Sequence, residues 1–161
     1  MNKIAVWGLG KHSIKNILPA LDKSDNLFLH GLYSRDRDIR NTYSNEYNCI
    51  SYDNEGEMLS DNDLEIIYVA TPPGLHYEQG KCILESGKHF WCEKPFVTNL
   101  NEAQDIIQIA EKNDLSIAEG LMYLYHPQFE FIKTFLDSNK KEDIKIINSL
   151  FTLPHTNQPS F

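Results

Sequence analysis

A chain of 161 residues, 41% hydrophobic and 24% charged, has room for one domain with a sizeable core. Its formal net charge of −8 argues against a nucleic-acid backbone as partner. No stretch approaches the roughly 18 apolar residues of a membrane span, and the N-terminus does not read as a signal peptide, so a cytoplasmic protein away from membranes is expected.

Ile4, Ala5, Val6 and Trp7 form an apolar run long enough for a buried parallel strand and too short for a helix. The run leads directly into Gly8, Leu9, Gly10, Lys11, His12 and Ser13. Apolar residues then recur at Ile14, Ile17, Leu18 and Leu21, which is helical spacing. Strand, glycine turn and helix are the context that gives a G-x-G-x-x-G pattern its meaning. Gly8 permits the tight turn, and Gly10 lets a pyrophosphate approach free N–H groups at a helix start. Ser13 replaces the third glycine and is small enough to keep the helix close to the strand.

The run over 27–33 reads as the second strand of a βαβ unit. A dinucleotide domain selective for NAD places an Asp or Glu at the end of this strand, to bind the ribose 2′-hydroxyl. Ser34 and Arg35 stand there instead, with Arg37 and Arg40 close behind. A hydroxyl and guanidinium groups suit a 2′-phosphate through charge-assisted bonds, which favours NADP(H), with NAD(H) as the alternative. A solvated charged loop is the competing reading, because Asp36 and Asp38 alternate with the arginines.

Further strands are expected over 48–51, 65–71, 89–92 and 116–120. Thr71, Pro72 and Pro73 stop the 65–71 strand, since proline cannot donate to a ladder. A helix over 75–86 ends at Ser86 and Gly87, and another over 100–113 starts at Asn99 with Glu102 in capping-box position. Glu93, Lys94 and Pro95 close the 89–92 strand. A lysine at a strand end in a cleft suits proton donation to a carbonyl, because burial or a neighbouring cation brings its pKa down readily. Strand–helix alternation with crossovers of this length predicts an α/β, doubly wound parallel sheet of Rossmann type. In such sheets ligands bind beyond the carboxyl ends of the strands, and all four motifs fall at such ends.

Leu121 to Tyr125 reads as the crossing out of this domain, and His126 and Pro127 open a last helix with Phe129, Ile132, Phe135 and Leu136 on one side. Cys49, Cys82 and Cys92 form no C-x-x-C pair and read as reduced thiols. Cys92 stands two residues before Lys94, so a reactive thiol competes there with a packed one, the packed reading being favoured. The six histidines show no metal-ligand spacing, and no metal is expected.

The segments GLGKHS, YSRD, YVATPPGLH, SGKHFWCEKP and AEGLMYLYHPQF together resemble the glucose-fructose oxidoreductase / inositol dehydrogenase (Gfo/Idh/MocA) superfamily. GLMYLYHPQF and SLFTLPH look most like its bacterial sugar-nucleotide 3-ketoreductases. The resemblance implies an oxidoreductase that transfers hydride between NADP(H) and the carbonyl of a nucleotide-linked keto-sugar, in an expected homo-oligomer. Lys94 matches the lysine beside nicotinamide and substrate. Glu93, Thr71, Pro72 and His76 match cofactor-side segments, alongside Gly8, Leu9, Gly10, Lys11, His12, Ser13, Ser34, Arg35 and Arg37. His126, with Tyr123 and Tyr125, lies in the segment near the sugar; His126 is the second catalytic candidate, and a helix cap is its alternative role. The resemblance also implies two parts: a dinucleotide domain over 1–121, and over 122–161 the truncated start of an α+β substrate and oligomerisation domain, whose first strand spans 144–153. On that reading this chain binds dinucleotide weakly and is nearly inactive alone. A polyol or dihydrodiol dehydrogenase of the same superfamily, and a non-catalytic NAD(P)-binding sensor or scaffold, are the alternatives. Retention of Lys94 speaks against the sensor.

Overall fold

The computed structural model describes residues 1–138, 146 and 148–150, so the expected strand over 144–153 lies largely outside the described residues. Two compact units, Met1–Leu121 and Met122–Phe161, make up the chain. In the first, β1 (Asn2–Trp7), β2 (Leu27–Tyr33), β3 (Ile50–Ser51), β4 (Ile66–Val69), β5 (His89–Cys92) and β6 (Ile117–Glu119) form one sheet. Every pairing is parallel, and the order is β3-β2-β1-β4-β5-β6. The doubly wound sheet expected from strand–helix alternation is the architecture found.

Alternation along β1 explains its central place. Ala5 and Trp7 enter one core layer with Ile67, Val69, Phe90 and Ile106, while Ile4 and Val6 enter the opposite layer with Leu18, Leu29 and Leu32. A strand apolar on both faces must be covered on both. Each Val, Leu, Ile or Phe side chain among them contributes about 1.5–3 kcal/mol when removed from water.

The first helical segment is not a plain α-helix. A π-helical turn (Ser13–Ile17) precedes α1 (Leu18–Asp22), which carries Pro19 near its start. Proline lacks the N–H that an α-helical ladder would use there, and its ring crowds the preceding turn, so the ladder widens locally. Leu18 and Leu21 are buried as the spacing requires.

Two helices have no counterpart in the apolar pattern: α2 (Arg37–Glu46) and α3 (Glu55–Ser60). Both are set by their caps. Asp36 Oδ1 accepts from the N–H groups of Asp38 and Ile39, each at 3.1 Å, and Asn54 Oδ1 accepts from Glu57 N–H at 2.9 Å. The charged-loop reading holds for Ser34–Asp36, which lie outside any helix with Arg35 exposed, and gives way from Arg37 on, where the Asp36 cap starts α2. Helices α4 (His76–Glu85) and α5 (Leu100–Lys112) follow the expected ranges within one residue. At α5, Asn99 Oδ1 accepts from Glu102 N–H at 3.1 Å, and Glu102 reaches back to Thr98 N–H at 3.0 Å rather than to the cap residue itself. Among the described residues, no helix is long and apolar enough to cross a membrane.

The second unit holds a 3-10 turn (Met122–Tyr125) and α6 (Pro127–Ser138). Tyr123 packs edge-on against Phe129 with ring centres 5.8 Å apart.

Candidate functional site

Four strands of the first unit finish level with one another. Trp7 pairs with Tyr33 on one side and Val69 on the other, and Val69 pairs with Cys92. The turns beyond are locked by the same ladder. Gly8 N–H donates to Tyr33 O at 2.8 Å, Ala70 N–H to Trp7 O at 2.9 Å, and Glu93 N–H to Val69 O at 2.9 Å. The order of strands reverses at β1, and the crevice between the β1 and β4 ends is where open α/β sheets hold ligands.

A cleft of about 480 Å³ opens at that point. Trp7, Gly8, Leu9 and Gly10 line it from the glycine turn, Tyr33, Ser34 and Arg35 from the end of β2, and Ala70, Thr71 and Pro72 from the end of β4. Leu75, Glu78, Gln79 and Cys82, at and along α4, and Glu55 of α3 complete the lining. The strand-end residues were expected from sequence; the α3 and α4 residues were not, because nothing in an amphipathic pattern says which helical polar face borders a crevice.

The two glycines have different reasons to be glycine. Gly8 sits at φ +108°, and a Cβ there would lie 2.9 Å from the Ala70 carbonyl carbon and oxygen. The turn is that close to β4. A Cβ on Gly10 would meet nothing within 4 Å, so its backbone is open to an approaching group. Ser13 is buried and donates its hydroxyl to Gly8 O at 2.8 Å. The hydroxyl so ties the helix start to the turn.

Ser34 Oγ accepts from Asp36 N–H at 3.3 Å. Arg35 is exposed, and among the described residues it has no ion-pair partner, since Asp36 is engaged as a helix cap. Arg37 is exposed on the first turn of α2, and Lys11 is exposed on the glycine turn; neither lines the cleft. Arg40 is removed from the candidate anion site. It is buried, with Nη2 2.7 Å from Asp53 Oδ1 and Nε donating to Ser51 Oγ at 3.0 Å, and it fastens α2 to β3.

His76 is also turned inward. It is fully buried, with Nδ1 2.9 Å from Pro95 O and Nε2 2.9 Å from Thr71 O. Its ring bridges the turn after β4 to the turn after β5. Glu93 is half-buried, in contact with His12 and Tyr68. Lys94, the next residue, is exposed at the end of β5 and has no hydrogen-bond or ion-pair partner among the described residues. In the second unit, His126 Nδ1 accepts from Gln128 N–H at 3.1 Å, the geometry of a cap on α6.

The thiols separate by environment. Cys92 is buried, its Sγ 3.7 Å from Phe96 O, and burial pushes its pKa up to about 12, so the packed reading holds. Cys82 is exposed on the cleft wall, with its pKa raised by partial burial and by Glu85, Glu55 and Glu78.

Residues 2–121 match the family model of the Gfo/Idh/MocA proteins, described as an oxidoreductase family with an NAD-binding Rossmann fold. The chain belongs to this family. Relatives within the Gfo/Idh/MocA group include the dTDP-3,4-didehydro-2,6-dideoxy-alpha-D-glucose 3-reductase of Actinomadura kijaniata, 26% identical over 94% of this chain and 46% of that protein. An NADP(+) scyllo-inositol 2-dehydrogenase of Bacillus subtilis is 29% identical over 67% of this chain and 33% of its own length. Among solved structures, the 3-ketoreductase of Actinomadura kijaniata in complex with TDP-benzene and NADP superposes with a TM-score of 0.79 at 26% identity. That match covers 84% of this chain and 43% of the other. The chain thus spans less than half the length of these Gfo/Idh/MocA relatives.

Proposed function

We propose that residues 1–121 form the dinucleotide domain of an NADP(H)-dependent oxidoreductase acting on a sugar carbonyl, with a nucleotide-linked keto-sugar as substrate, and that residues 122–161 begin its substrate domain. The observation that carries this reading is the convergence of the β1, β2, β4 and β5 ends on one rim, with Arg35 at the cleft and without an ion-pair partner among the described residues. The chain fits the cofactor: Gly10 leaves backbone open for the diphosphate, Gly8 allows the tight turn, and Ser34 with Arg35 suits a 2′-phosphate. When bound, NADPH supplies a hydride. Lys94 supplies the proton or hydrogen bond that stabilises a developing alkoxide, as positioned charge does where negative charge grows. His126 is the second candidate for proton handling, its cap bond to Gln128 notwithstanding. The 29% identity to the inositol dehydrogenase keeps a polyol substrate as the second reading. NADPH oxidation with dTDP-linked keto-sugars, set against NADP reduction with inositols, separates the two; activity on neither class would refute both.

Replacing Arg35 by alanine is expected to weaken NADPH about 10- to 100-fold, from the loss of charge-assisted bonds to phosphate, while leaving NADH within about twofold. Calorimetric titration of both nucleotides checks this, and equal losses would remove the 2′-phosphate assignment. Cys82 offers a second check on the same cleft. Alkylation with a maleimide is expected to label Cys82 and spare Cys92 in the folded protein, and saturating NADP is expected to slow labelling at Cys82. Unchanged labelling would place the nucleotide elsewhere.

A further inference from the structure

The His12 side chain leaves the glycine turn toward Glu93. Its Nε2 lies 3.0 Å from Glu93 Oε1, and its Nδ1 lies 3.1 Å from Nδ2 of Asn16, one helical turn on. An amide NH₂ can only donate, so Nδ1 accepts and the ring hydrogen sits on Nε2, facing the carboxylate. From the other flank the Tyr68 hydroxyl donates to the same Oε1. Tyr68 is buried with its ring edge-on to Trp91, and burial followed by the Glu93 contact raises its pKa, so it stays a donor. The Glu93 side chain is only 14% exposed, whereas His12 is 45% exposed. Four polar groups, Asn16, His12, Glu93 and Tyr68, are thus joined in a row, and the His12–Glu93 contact links the glycine turn to the residue before Lys94.

We propose that His12 is a positioning residue that couples the glycine turn to the Lys94 segment by shielding the Glu93 carboxylate from the diphosphate of the bound nucleotide. The inference rests on the dinucleotide reading above. Glu93 carries its negative charge largely out of water, and a diphosphate on the turn brings more negative charge to the same rim. Like charges in a partly buried site oppose each other, and water screens them poorly. The imidazole N–H gives the carboxylate a donor on the side of the turn. It also holds the orientation of Glu93, and through it the start of the segment that carries Lys94. Without His12, a half-buried carboxylate loses a partner as the anion arrives.

Calorimetric titration of NADPH into wild type, His12→Ala, Glu93→Gln and the double variant tests the coupling. His12→Ala is expected to weaken binding about tenfold, the scale of one unpaired charge partner, and adding Glu93→Gln to restore most of that loss. Glu93 keeps the Tyr68 donor and His12 is 45% exposed, so the His12→Ala variant is expected to stay folded and melt within a few degrees of the wild type. No effect of His12→Ala, or a double variant that loses the sum of both singles, would overturn the coupling while leaving the dinucleotide reading intact. No binding by the wild type would overturn both. Long-range proton–nitrogen spectra of the histidine rings in the nucleotide-free protein give an independent readout. They are expected to show His12 with its hydrogen on Nε2, and that signal is expected to move in Glu93→Gln. A signal blind to Glu93→Gln would refute the contact on which the proposal stands.

Discussion

Gly8→Ala is expected to cost both stability and nucleotide binding. The new Cβ would lie 2.9 Å from backbone atoms of Ala70 and 3.0 Å from Thr71 Cγ2, on a residue at φ +108° that side chains rarely tolerate. Backbone cannot swing aside as a flexible side chain can. Relief requires the end of β1 to part from the end of β4, which breaks the Ala70–Trp7 bond at the crevice itself. Overpacking and strained φ together are expected to cost about 2–5 kcal/mol, read from the urea midpoint, with NADPH binding lost in the fraction that stays folded. Gly10→Ala makes the contrast. Its Cβ meets nothing in the protein, so stability is expected to hold while NADPH binding falls, because the methyl group occupies the approach to the turn. If both variants behaved alike, the separate roles of the two glycines would be wrong.

Lys94→Ala is expected to remove turnover and spare the cofactor. Lys94 follows Glu93 at the end of β5, exposed and without a partner among the described residues, so its loss breaks no structural contact there. A positioned general acid contributes about 10²- to 10⁴-fold to rate. In a protein that carries the proposed substrate domain, kcat for a keto-sugar is expected to fall by about that factor, with NADPH affinity changed less than about threefold. Undiminished kcat would leave Lys94 as a surface lysine before a proline. A matched loss of NADPH affinity would make it a cofactor contact instead.

The sheet was readable because its strands are short apolar runs closed by glycine, proline or charge. Ile4–Trp7 and Ile66–Val69 announce themselves in that way, and the strand ends that line the cleft follow from them. α2 and α3 were not readable, because their faces carry few apolar residues. α2 depends on the Asp36 cap and on Arg40, a charged residue buried because Asp53, Ser51 and the Ser34 carbonyl meet it. Motif reasoning also treats each motif residue as facing the ligand. Ser13 and His76 break that assumption: both sit in the motif segments, yet each side chain points inward to fasten one piece of backbone to another. The cleft wall made by Glu78, Gln79 and Cys82 depends on how α4 rolls against the sheet. Packing around Phe90 and Ile83 decides that roll, and no local pattern encodes it.

The most direct test follows backbone amide signals of the nitrogen-15-labelled protein during titration with NADPH. The account requires saturable shifts clustered at Gly8 to His12, Ser34 to Arg35 and Ala70 to Thr71, with smaller shifts at Glu93 and Lys94. An unchanged spectrum at saturating nucleotide, or shifts gathered on a face away from these strand ends, would contradict it.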